Sequence, residues 1–470
     1  MALMRSVSGI RGIYGKELTD SIAIKYAYSY YSFLKGKINK IKKNNPTIVI
    51  GTDTRLSGLK LSDAILGVLD CNFIDVGICP TPAIEFAVRH FHADGGIIIT
   101  ASHNEPYWNG FKFLGSDGAI LNEKEMGIVI SNYKAFRNFH KIQDRRIFEG
   151  NSEAIKEYTK FIFSIVGGQN IERIRNSGQK IVIDPNGGAG AIAKKILEQI
   201  GVGSIGINMQ YGEFNRKVEP TEDSLIYLKN IIDEKKADLA AGFDCDADRV
   251  EILLGNGQLL SGNYILALIV NEILSMAENP ERQFVAVNSA TSNIVRHVAG
   301  KFGAKLRECE AGEANVLQEM GKCKAIVGGE GSNGGVIIPP SKCRDGILTL
   351  LMILSIIAKK QKKLEEIIKE LPKYYTLSKK VEFDSSKHNA IKNFIKSYYL
   401  KNGFEIIEKD IKGSLKVVIN QNSFVWFRAS RTEGNIFRII SDSDKKETVE
   451  RLMEEAVRVF GKANETKNSE

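Results

Sequence analysis

The sequence contains no long apolar segment. No hydrophobic run in its 470 residues reaches the roughly 18 to 20 residues that a membrane-spanning helix requires. The opening stretch MALMRSVSGIRG also lacks the apolar core of a secretory signal. We therefore expect a cytoplasmic protein with no membrane partner.

Cysteine and several common motifs are also scarce or missing. The six cysteines are scattered and none forms a C-x-x-C pair, which argues against a zinc site and against a disulfide framework. The sequence has no G-x-S-x-G, which disfavours the α/β-hydrolases. It has no G-x-x-x-x-G-K-[ST] either, so the usual nucleotide loop is missing.

The charge balance favours an anionic partner. A net charge of +9 suits nucleic acid or a phosphorylated metabolite and does not by itself choose between them. The lysine clusters INKIKKNN and AKKQKKLEE are typical of solvated helix ends, and no aromatic-rich nucleic-acid motif accompanies them. We expect no nucleic-acid partner.

Apolar and helical segments alternate along most of the chain. Runs rich in Ile and Val, such as TIVIGTD, KIVIDPNGGAG and FVAVNSA, each precede a stretch with helical spacing. This alternation predicts α/β domains, in which ligands gather at the carboxyl ends of the strands. LKVVINQNSFVWFRAS instead predicts two strands and a turn, followed by a closing helix. We expect four domains: 1–148, 149–254 and 255–370 as α/β domains with mixed sheets, and 371–470 as a smaller α+β domain with an antiparallel sheet.

The segment AGFDCDADRVEI is unusually acidic. In an extended strand Asp244 and Asp248 would lie about 13 Å apart, whereas two oxygens on one Mg²⁺ approach within roughly 4 Å, so the segment must curl to hold a metal with Asp246. An EF-hand is excluded because Arg249 and Gly255 occupy its Gly and Glu positions. Hard oxygen ligands favour Mg²⁺ that shares a phosphate oxygen, which Arg249 could also bind; a solvated acidic turn is the alternative.

Two further segments carry ligand-binding side chains. FRASRTEGNIFRI combines guanidinium and hydroxyl groups suited to a phosphate dianion, with an ordinary polar turn as the alternative. Its candidates are Arg428, Ser430, Arg431 and Thr432. The glycine-rich GGEGSNGG carries Glu330 and Ser332, which could bind sugar hydroxyls, with a plain hairpin turn as the alternative.

Ser102 and His103 follow the apolar run GGIIIT. Adjacent side chains on an extended segment point to opposite sides, so His103 is poorly placed to deprotonate Ser102. A serine that carries a phosphoryl group needs no such base, because a metal and nearby cations stabilise the transfer.

Taken in order, these segments resemble the motifs of the α-D-phosphohexomutases, the phosphoglucomutase/phosphomannomutase family. TASHNE resembles its T-A-S-H-N-P, DCDADR its D-G-D-x-D-R, GEGSNG its G-E-x-S-G-H, and RASRTEG its R-x-S-G-T-E-P. Lesser matches are SGIRG, GTDTRLS, GICPTPA, DPNGGAG and CRDGI. The resemblance implies four domains around a central cleft and a reversible phosphoryl transfer between the 1- and 6-positions of a hexose phosphate.

The resemblance also implies roles for individual residues. Ser102 would carry the phosphoryl group and, with Asp244, Asp246 and Asp248, bind one Mg²⁺ per chain. His103, Lys112, Arg11 and Arg249 would form the catalytic region around it. Glu330, Ser332 and Asn333 would bind the sugar, and Arg428, Ser430, Arg431 and Thr432 the phosphate that does not react.

The activator would be a hexose 1,6-bisphosphate, and the protein a monomer or homodimer. Departures from the motifs include Cys245, Glu105, Arg431 and, in the sugar loop, Asn333 and Gly334, which remove the family's second histidine. A glucose or mannose phosphate substrate is the first hypothesis. A phosphoglucosamine mutase and an inactive sugar-phosphate-binding paralogue are the alternatives.

Overall fold

The chain forms two compact units. The computed structural model describes residues 3–6, 9–39, 45–136, 146–332, 334–408, 413–430 and 435–465. The first unit combines Met1–Ser261 with Asn333–Ile367, and the second combines Gly262–Ser332 with Ile368–Glu470. The chain therefore returns to the first unit after it has begun the second.

The first sheet lies in the first unit and mixes parallel with antiparallel strands. Its strands are β1 (Met4–Ser6), β2 (Gly9–Ile13), β3 (Thr47–Thr52), β4 (Asn72–Ile78), β5 (Gly95–Ile99), β6 (Trp108–Leu114) and β7 (Arg146–Glu149). Its helices are α1 (Asp20–Ile38), α2 (Leu56–Leu66), α3 (Thr81–His90) and α4 (Glu123–Ala135). The strand order is β1-β2-β6-β5-β3-β4-β7. β3 pairs in parallel with β4 and β5, and β6 pairs antiparallel with β5 and β2.

The sequence explains why β3 and β5 are central. TIVIGT and GGIII are almost wholly buried, as expected for strands with helices on both faces of their sheet. Strand β5 ends at Ile99, and the segment that contains Ser102 follows it directly. The strand end thus fixes where Ser102 lies.

The second sheet also belongs to the first unit. Its strands are β8 (Lys180–Asp184), β9 (Gly203–Gly206), β10 (Leu239–Phe243), β11 (Val250–Leu254) and β12 (Leu259–Leu260). Its helices are α5 (Asn151–Val166), α6 (Gly168–Arg175), α7 (Ile192–Gln199), α8 (Glu222–Leu225) and α9 (Leu228–Lys235). The order is β12-β11-β10-β8-β9, with β10 parallel to β8 and antiparallel to β11.

The second unit begins with three parallel strands. Its first elements are α10 (Gly262–Met276), β13 (Phe284–Asn288), α11 (Asn293–Lys301), β14 (Lys305–Cys309), α12 (Glu313–Cys323) and β15 (Val327–Gly329). β13 pairs in parallel with both β14 and β15. The chain then re-enters the first unit with β16 (Val336–Ile337), α13 (Gly346–Lys360) and α14 (Leu364–Ile368).

The C-terminal part of the second unit is an antiparallel sheet with two helices. Its elements are β17 (Tyr375–Glu382), α15 (His388–Lys401), β18 (Glu405–Glu408), β19 (Leu415–Asn420), β20 (Ser423–Ala429), β21 (Ile436–Ser443) and α16 (Lys446–Glu465). The order is β17-β21-β20-β19-β18, antiparallel throughout. The predicted fold class, mixed α/β sheets followed by an antiparallel α+β domain, is confirmed.

Within the described residues, no helix is both long enough and apolar enough to cross a lipid bilayer.

Two glycines near the second sheet, Gly187 and Gly178, differ in the space available for a side chain, and this difference allows a test of local packing. Both have positive φ, +70° and +68°, but a Cβ on Gly187 would lie 2.4 Å from the carbonyl oxygen of Glu213, whereas no described atom lies within 4 Å of a Cβ on Gly178. Both alanine substitutions strain the backbone, and only Gly187→Ala also adds a clash. We expect Gly187→Ala to lower the free energy of unfolding by about 1 to 3 kcal/mol more than Gly178→Ala. Thermal unfolding of both variants measures this, and equal melting temperatures would contradict the packing argument.

Candidate active site

The acidic segment begins where strand β10 ends. The chain curls after Phe243, because the amide of Ala247 donates to the carbonyl of Asp244 over 3.2 Å and Ala247 adopts a φ of 53°. Other parts of the first unit bind the carbonyls of this curl. These bonds run from Arg216 Nη2 to Phe243 (2.8 Å), from the amide of Ala189 to Cys245 (2.8 Å), from the amide of Thr81 to Asp246 (2.9 Å) and from the amide of Gly346 to Ala247 (3.2 Å). The backbone of the acidic segment is thus fixed by its surroundings.

The three aspartate side chains of this segment converge. Asp244, Asp246 and Asp248 are each at most 1% exposed, and each offers a carboxylate oxygen within 4.8 Å of those of the other two. Burial, then the charges of Asp248 and Asp246, raise the pKa of Asp244 well above its ordinary value. The buried Oδ1 of Asp246 accepts no hydrogen bond from the described residues. Oxygen donors of this number and charge fit a hard divalent cation such as Mg²⁺.

Three cationic side chains surround the carboxylates. Lys112 Nζ lies 2.9 Å from Asp246 Oδ2 and 3.2 Å from Asp248 Oδ2, and Arg344 Nη2 lies 2.8 Å from Asp248 Oδ2. Arg249 Nε lies 3.6 Å from Asp248 Oδ1 and 3.9 Å from Asp244 Oδ2. Burial alone would raise the pKa of Asp248, but these cations outweigh it and hold that pKa well below the ordinary value. Asp248 therefore stays a carboxylate, whereas Asp244 is the member whose charge is least offset.

Ser102 lies in a turn after β5 and meets the acidic segment. Its side chain is almost fully buried, and its Oγ donates to Asp244 Oδ2 over 3.3 Å. Its φ is 52°, an uncommon value for a residue with a Cβ. The turn is held by bonds from the Ser102 amide to Thr100 Oγ1 (2.8 Å) and from Arg55 Nη2 to the Ser102 carbonyl (2.8 Å). The strained turn thus directs the hydroxyl at the carboxylate with the least compensated charge.

Arg11 and His103 flank this turn. Arg11 is buried on β2, and its Nη1 donates to Asn104 Oδ1 over 2.8 Å. Burial, followed by the nearby charge of Arg249, lowers the pKa of Arg11 to about 10, so Arg11 is still a cation at neutral pH. His103 is half-buried and follows Ser102 directly. The first unit therefore brings together Ser102, Lys112, Arg249 and the three aspartates, with Arg11 and His103 beside the turn.

The second unit carries the predicted sugar-binding glutamate. Glu330 follows β15, and its Oε1 accepts bonds from Asn288 Nδ2 (2.7 Å) at the end of β13 and from the amide of Gly312 (2.8 Å) after β14. The carboxylate is therefore fixed at the carboxyl ends of parallel strands, where such sheets bind ligands. Ser332 is exposed, and Asn333 lies outside the described residues.

Part of the predicted phosphate segment is also described. Arg428 lies on β20, with its Nε 3.2 Å from Glu310 Oε1, and the amide of Ser430 donates to the carbonyl of Ile436 over 2.7 Å. Arg431 and Thr432 lie outside the described residues.

Four residues that the sequence analysis did not single out contribute to these sites. Arg344 binds Asp248, Thr81 Oγ1 donates to Asp246 Oδ2 over 2.7 Å, Arg55 supports the serine turn, and Glu310 pairs with Arg428. The first three lie in CRDGI, GICPTPA and GTDTRLS, which were recognised only as lesser motif matches. Their presence in these segments was the available signal. For Glu310 the corresponding signal was the segment ECEAGEANV, which differs from the family's pattern by Cys309 in place of a Thr.

Comparisons with known proteins agree with this arrangement. Three family models match: phosphoglucomutase/phosphomannomutase alpha/beta/alpha domain I over residues 3–138, domain II over 156–257 and domain III over 261–375. Together they account for most of the chain.

Individual relatives match over nearly the whole length. A phosphoglucomutase/phosphomannomutase of Thermococcus kodakarensis is 34% identical, with 97% of this chain and 98% of the relative covered. A phosphoglucosamine mutase of Prochlorococcus marinus subsp. pastoris is 30% identical, with 94% of both covered. The crystal structure of a phosphoglucomutase/phosphomannomutase family protein from Burkholderia thailandensis is similar in fold, with a TM-score of 0.79, 20% identity and 99% of both chains covered. The chain belongs to the phosphoglucomutase/phosphomannomutase family, the α-D-phosphohexomutases, whose members are isomerases.

Proposed function

We propose that this phosphohexomutase moves a phosphoryl group between the 1- and 6-positions of a hexose phosphate, through a phosphoserine at Ser102 and a hexose 1,6-bisphosphate. The observation that carries the proposal is the buried Ser102 Oγ, 3.3 Å from Asp244 at the edge of a cluster of three carboxylates. A phosphoserine there would add roughly −1.5 to −2 charges to that cluster. A phosphoserine at this position therefore requires a cation nearby, whereas the nucleophilic serine of a hydrolase does not.

Mg²⁺ fits the residues that would hold it. Asp244, Asp246 and Asp248 would be its protein ligands, and the buried Asp246 Oδ1 is an acceptor with no donor among the described residues. When bound, Mg²⁺ would neutralise charge on the transferred phosphoryl group. The three aspartates provide hard oxygen donors, which suit Mg²⁺ better than the softer transition metals.

The cationic side chains have a complementary role. Lys112, Arg249 and Arg11 would bind the oxygens of the transferring phosphoryl group, whose negative charge fixed guanidinium and ammonium groups stabilise. Lys112 and His103 are the candidates for moving a proton to or from the sugar hydroxyl, since both adjoin the serine turn or its acidic partners. Arg344, already bound to Asp248, would act as a support for the acidic segment.

The second unit would bind the remainder of the substrate. The fixed carboxylate of Glu330 is suited to accept hydrogen bonds from sugar hydroxyls, and Ser332 and Asn333 would assist it. Arg428, with Ser430, Arg431 and Thr432, would bind the phosphate that does not react. The intermediate must then leave this phosphate site and bind again by its other phosphate.

The preferred sugar separates the first hypothesis from its alternative. TASHN slightly favours glucose and mannose phosphates, and the Thermococcus relative carries that name at 34% identity. The Prochlorococcus phosphoglucosamine mutase is almost as similar at 30% identity, so glucosamine phosphate is the alternative. The inactive paralogue is less favoured, because Ser102, Lys112 and the three aspartates are all present and converge.

Ser102→Ala tests the phosphoserine. The substitution removes the acceptor oxygen and little else, so we expect phosphorylation to disappear and kcat to fall by at least about 10³-fold while the melting temperature changes little. Intact mass and peptide mass spectrometry after incubation with glucose 1,6-bisphosphate locate the phosphoryl group. Ser116→Ala, at an exposed turn of the first sheet, is the matched control and should behave as the parent does. Phosphate on another residue would refute the assignment.

Asp244→Asn tests the cation site. Without metal, the substitution removes one of three mutually repelling buried charges, so we expect the melting temperature in EDTA to rise by about 2 to 4 °C. Addition of Mg²⁺ should stabilise the parent and not the variant, because the variant has lost a ligand. Asp233→Asn, on the exposed face of α9, removes the same charge elsewhere and should keep the Mg²⁺ response. An unchanged Mg²⁺ response in Asp244→Asn would exclude the acidic segment as the binding site.

The substrate is decided by parallel assays. We expect the phosphorylated protein with Mg²⁺ to convert glucose 1-phosphate and mannose 1-phosphate with a higher kcat/KM than glucosamine 1-phosphate. A higher value for glucosamine 1-phosphate would establish the alternative. If none of the three sugar phosphates is converted, the result would support the alternative of an inactive sugar-phosphate-binding paralogue.

A further inference from the structure

The candidate phosphate arginine of the second unit is paired with a carboxylate. Arg428 Nε and Glu310 Oε1 lie 3.2 Å apart, and only 13% and 12% of the two side chains are exposed. An ion pair this well shielded from water is electrostatically stronger than a surface pair. Any anion that binds Arg428 therefore meets a guanidinium whose charge is already partly balanced.

Glu310 is fixed in place by its other contacts. Its Oε2 accepts bonds from both the amide and the Oγ of Ser414, each 2.9 Å long, and its Oε1 also accepts from the amide of Ala311 over 3.2 Å. Each of the two oxygens thus has hydrogen-bond donors of its own. The carboxylate cannot swing away from Arg428 without losing these bonds.

A hydrogen-bond network extends this support. Ser414 Oγ lies 3.0 Å from Ser289 Oγ, which also accepts a bond from Trp426 Nε1 over 3.1 Å. Ser289 follows β13, Glu310 follows β14 and Trp426 lies on β20. The network therefore ties the ends of two parallel strands to the strand that carries Arg428, and Glu310 occupies a built position rather than a chance surface one.

We propose that Glu310 is a positioning residue that weakens phosphate binding at Arg428, so that a hexose bisphosphate can leave this site and bind again by its other phosphate. The inference rests on the proposed function, in which Arg428 binds the phosphate that does not react. A phosphate dianion beside the pair is attracted by the guanidinium and repelled by the carboxylate. Since the carboxylate is anchored by Ser414, the repulsion persists when the phosphate binds.

The chemistry of a mutase gives this weakening a use. The intermediate carries two phosphates, and each must occupy the same site in turn. An arginine without a counter-charge would hold the first phosphate longer and slow the exchange. A carboxylate that lowers the affinity for both phosphates to the same extent reduces the time that the intermediate stays bound. It leaves the preference between sugars unchanged.

The test uses the full-length protein with Mg²⁺ and the Ser102→Ala substitution, which prevents phosphoryl transfer. Glucose 6-phosphate and glucose 1,6-bisphosphate are titrated separately into this protein, and calorimetry measures their binding. Glu310→Gln keeps the length of the side chain and removes its charge. We expect Kd for both ligands to fall about fivefold, since one repelling charge is removed at short range. With Ser102 intact, KM and kcat should both fall, because binding tightens while release slows. A purely structural role would raise KM instead.

The control for Glu310→Gln is Glu308→Gln. Glu308 lies two residues earlier on β14, has a side chain that is 9% exposed against 12% for Glu310, and pairs with Lys416 (2.9 Å) and Arg296 (2.7 Å). Kd should change less than twofold in this variant. Glu310→Met is measured beside Glu310→Gln, so that a folded, uncharged variant is available if one of them fails to fold.

Arg428→Ala separates the inference from the proposed function. If Arg428→Ala leaves Kd unchanged, Arg428 does not bind phosphate and both are wrong. If Arg428→Ala weakens binding at least tenfold but the uncharged Glu310 variants bind as the parent does or more weakly, the inference alone is overturned. Weaker binding in Arg428→Ala with tighter binding in Glu310→Gln supports both.

Discussion

Mutual repulsion among three buried carboxylates is the constraint on which the first unit depends. Asp244, Asp246 and Asp248 are removed from water, and like charges so close destabilise a fold unless cations compensate. Lys112 and Arg344 provide much of that compensation from positions 134 and 96 residues away along the chain. Arg344 comes from the segment Asn333–Ile367, after the second unit has begun. The return of the chain to the first unit thus brings a counter-charge that its N-terminal part does not provide.

The backbone around the carboxylates is fixed by a neighbouring ion pair and its hydrogen bonds. Arg216 Nε lies 2.6 Å from Asp184 Oδ2, which also accepts a bond of 2.6 Å from the hydroxyl of Tyr227. The same arginine binds the carbonyl of Phe243, at the start of the acidic segment. The side chain of Asp184, at the end of β8, therefore helps to hold the neighbouring strand end in position. Rigid support of this kind keeps the aspartates together even where their charges oppose it.

Local sequence patterns predicted much of the fold, and distant contacts explain the remainder. TIVIGTD, KIVIDPNGGAG and FVAVNSA form β3, β8 and β13, because Ile and Val runs bounded by Gly and Asn suit buried strands. The antiparallel placement of β2 beside β6 was not predictable, since that pairing joins residues about 100 positions apart. The acidic segment showed from its spacing alone that it must curl to bind a metal. That Thr81 and Arg344 bind its aspartates, and that Arg55 supports the serine turn beside it, depends on tertiary contacts that no local pattern encodes.

Each unit pairs the buried charges of its site with side chains of opposite charge. The site charge is negative in the first unit and positive in the second. In the first unit an anionic cluster is surrounded by Lys112, Arg249 and Arg344, and in the second a single guanidinium, Arg428, is paired with Glu310. A ligand whose charge is opposite to that of the site therefore competes with a protein side chain that already pairs with the site. It does not bind to an uncompensated charge. Because an uncompensated buried charge would destabilise the empty protein by several kcal/mol, the internal partners keep each unit stable without ligand. They would also limit how tightly a ligand binds, since the partner's contacts must be lost or its repulsion tolerated. In the proposed reaction one intermediate must bind twice, so moderate binding in each orientation would serve turnover better than tight binding in either one.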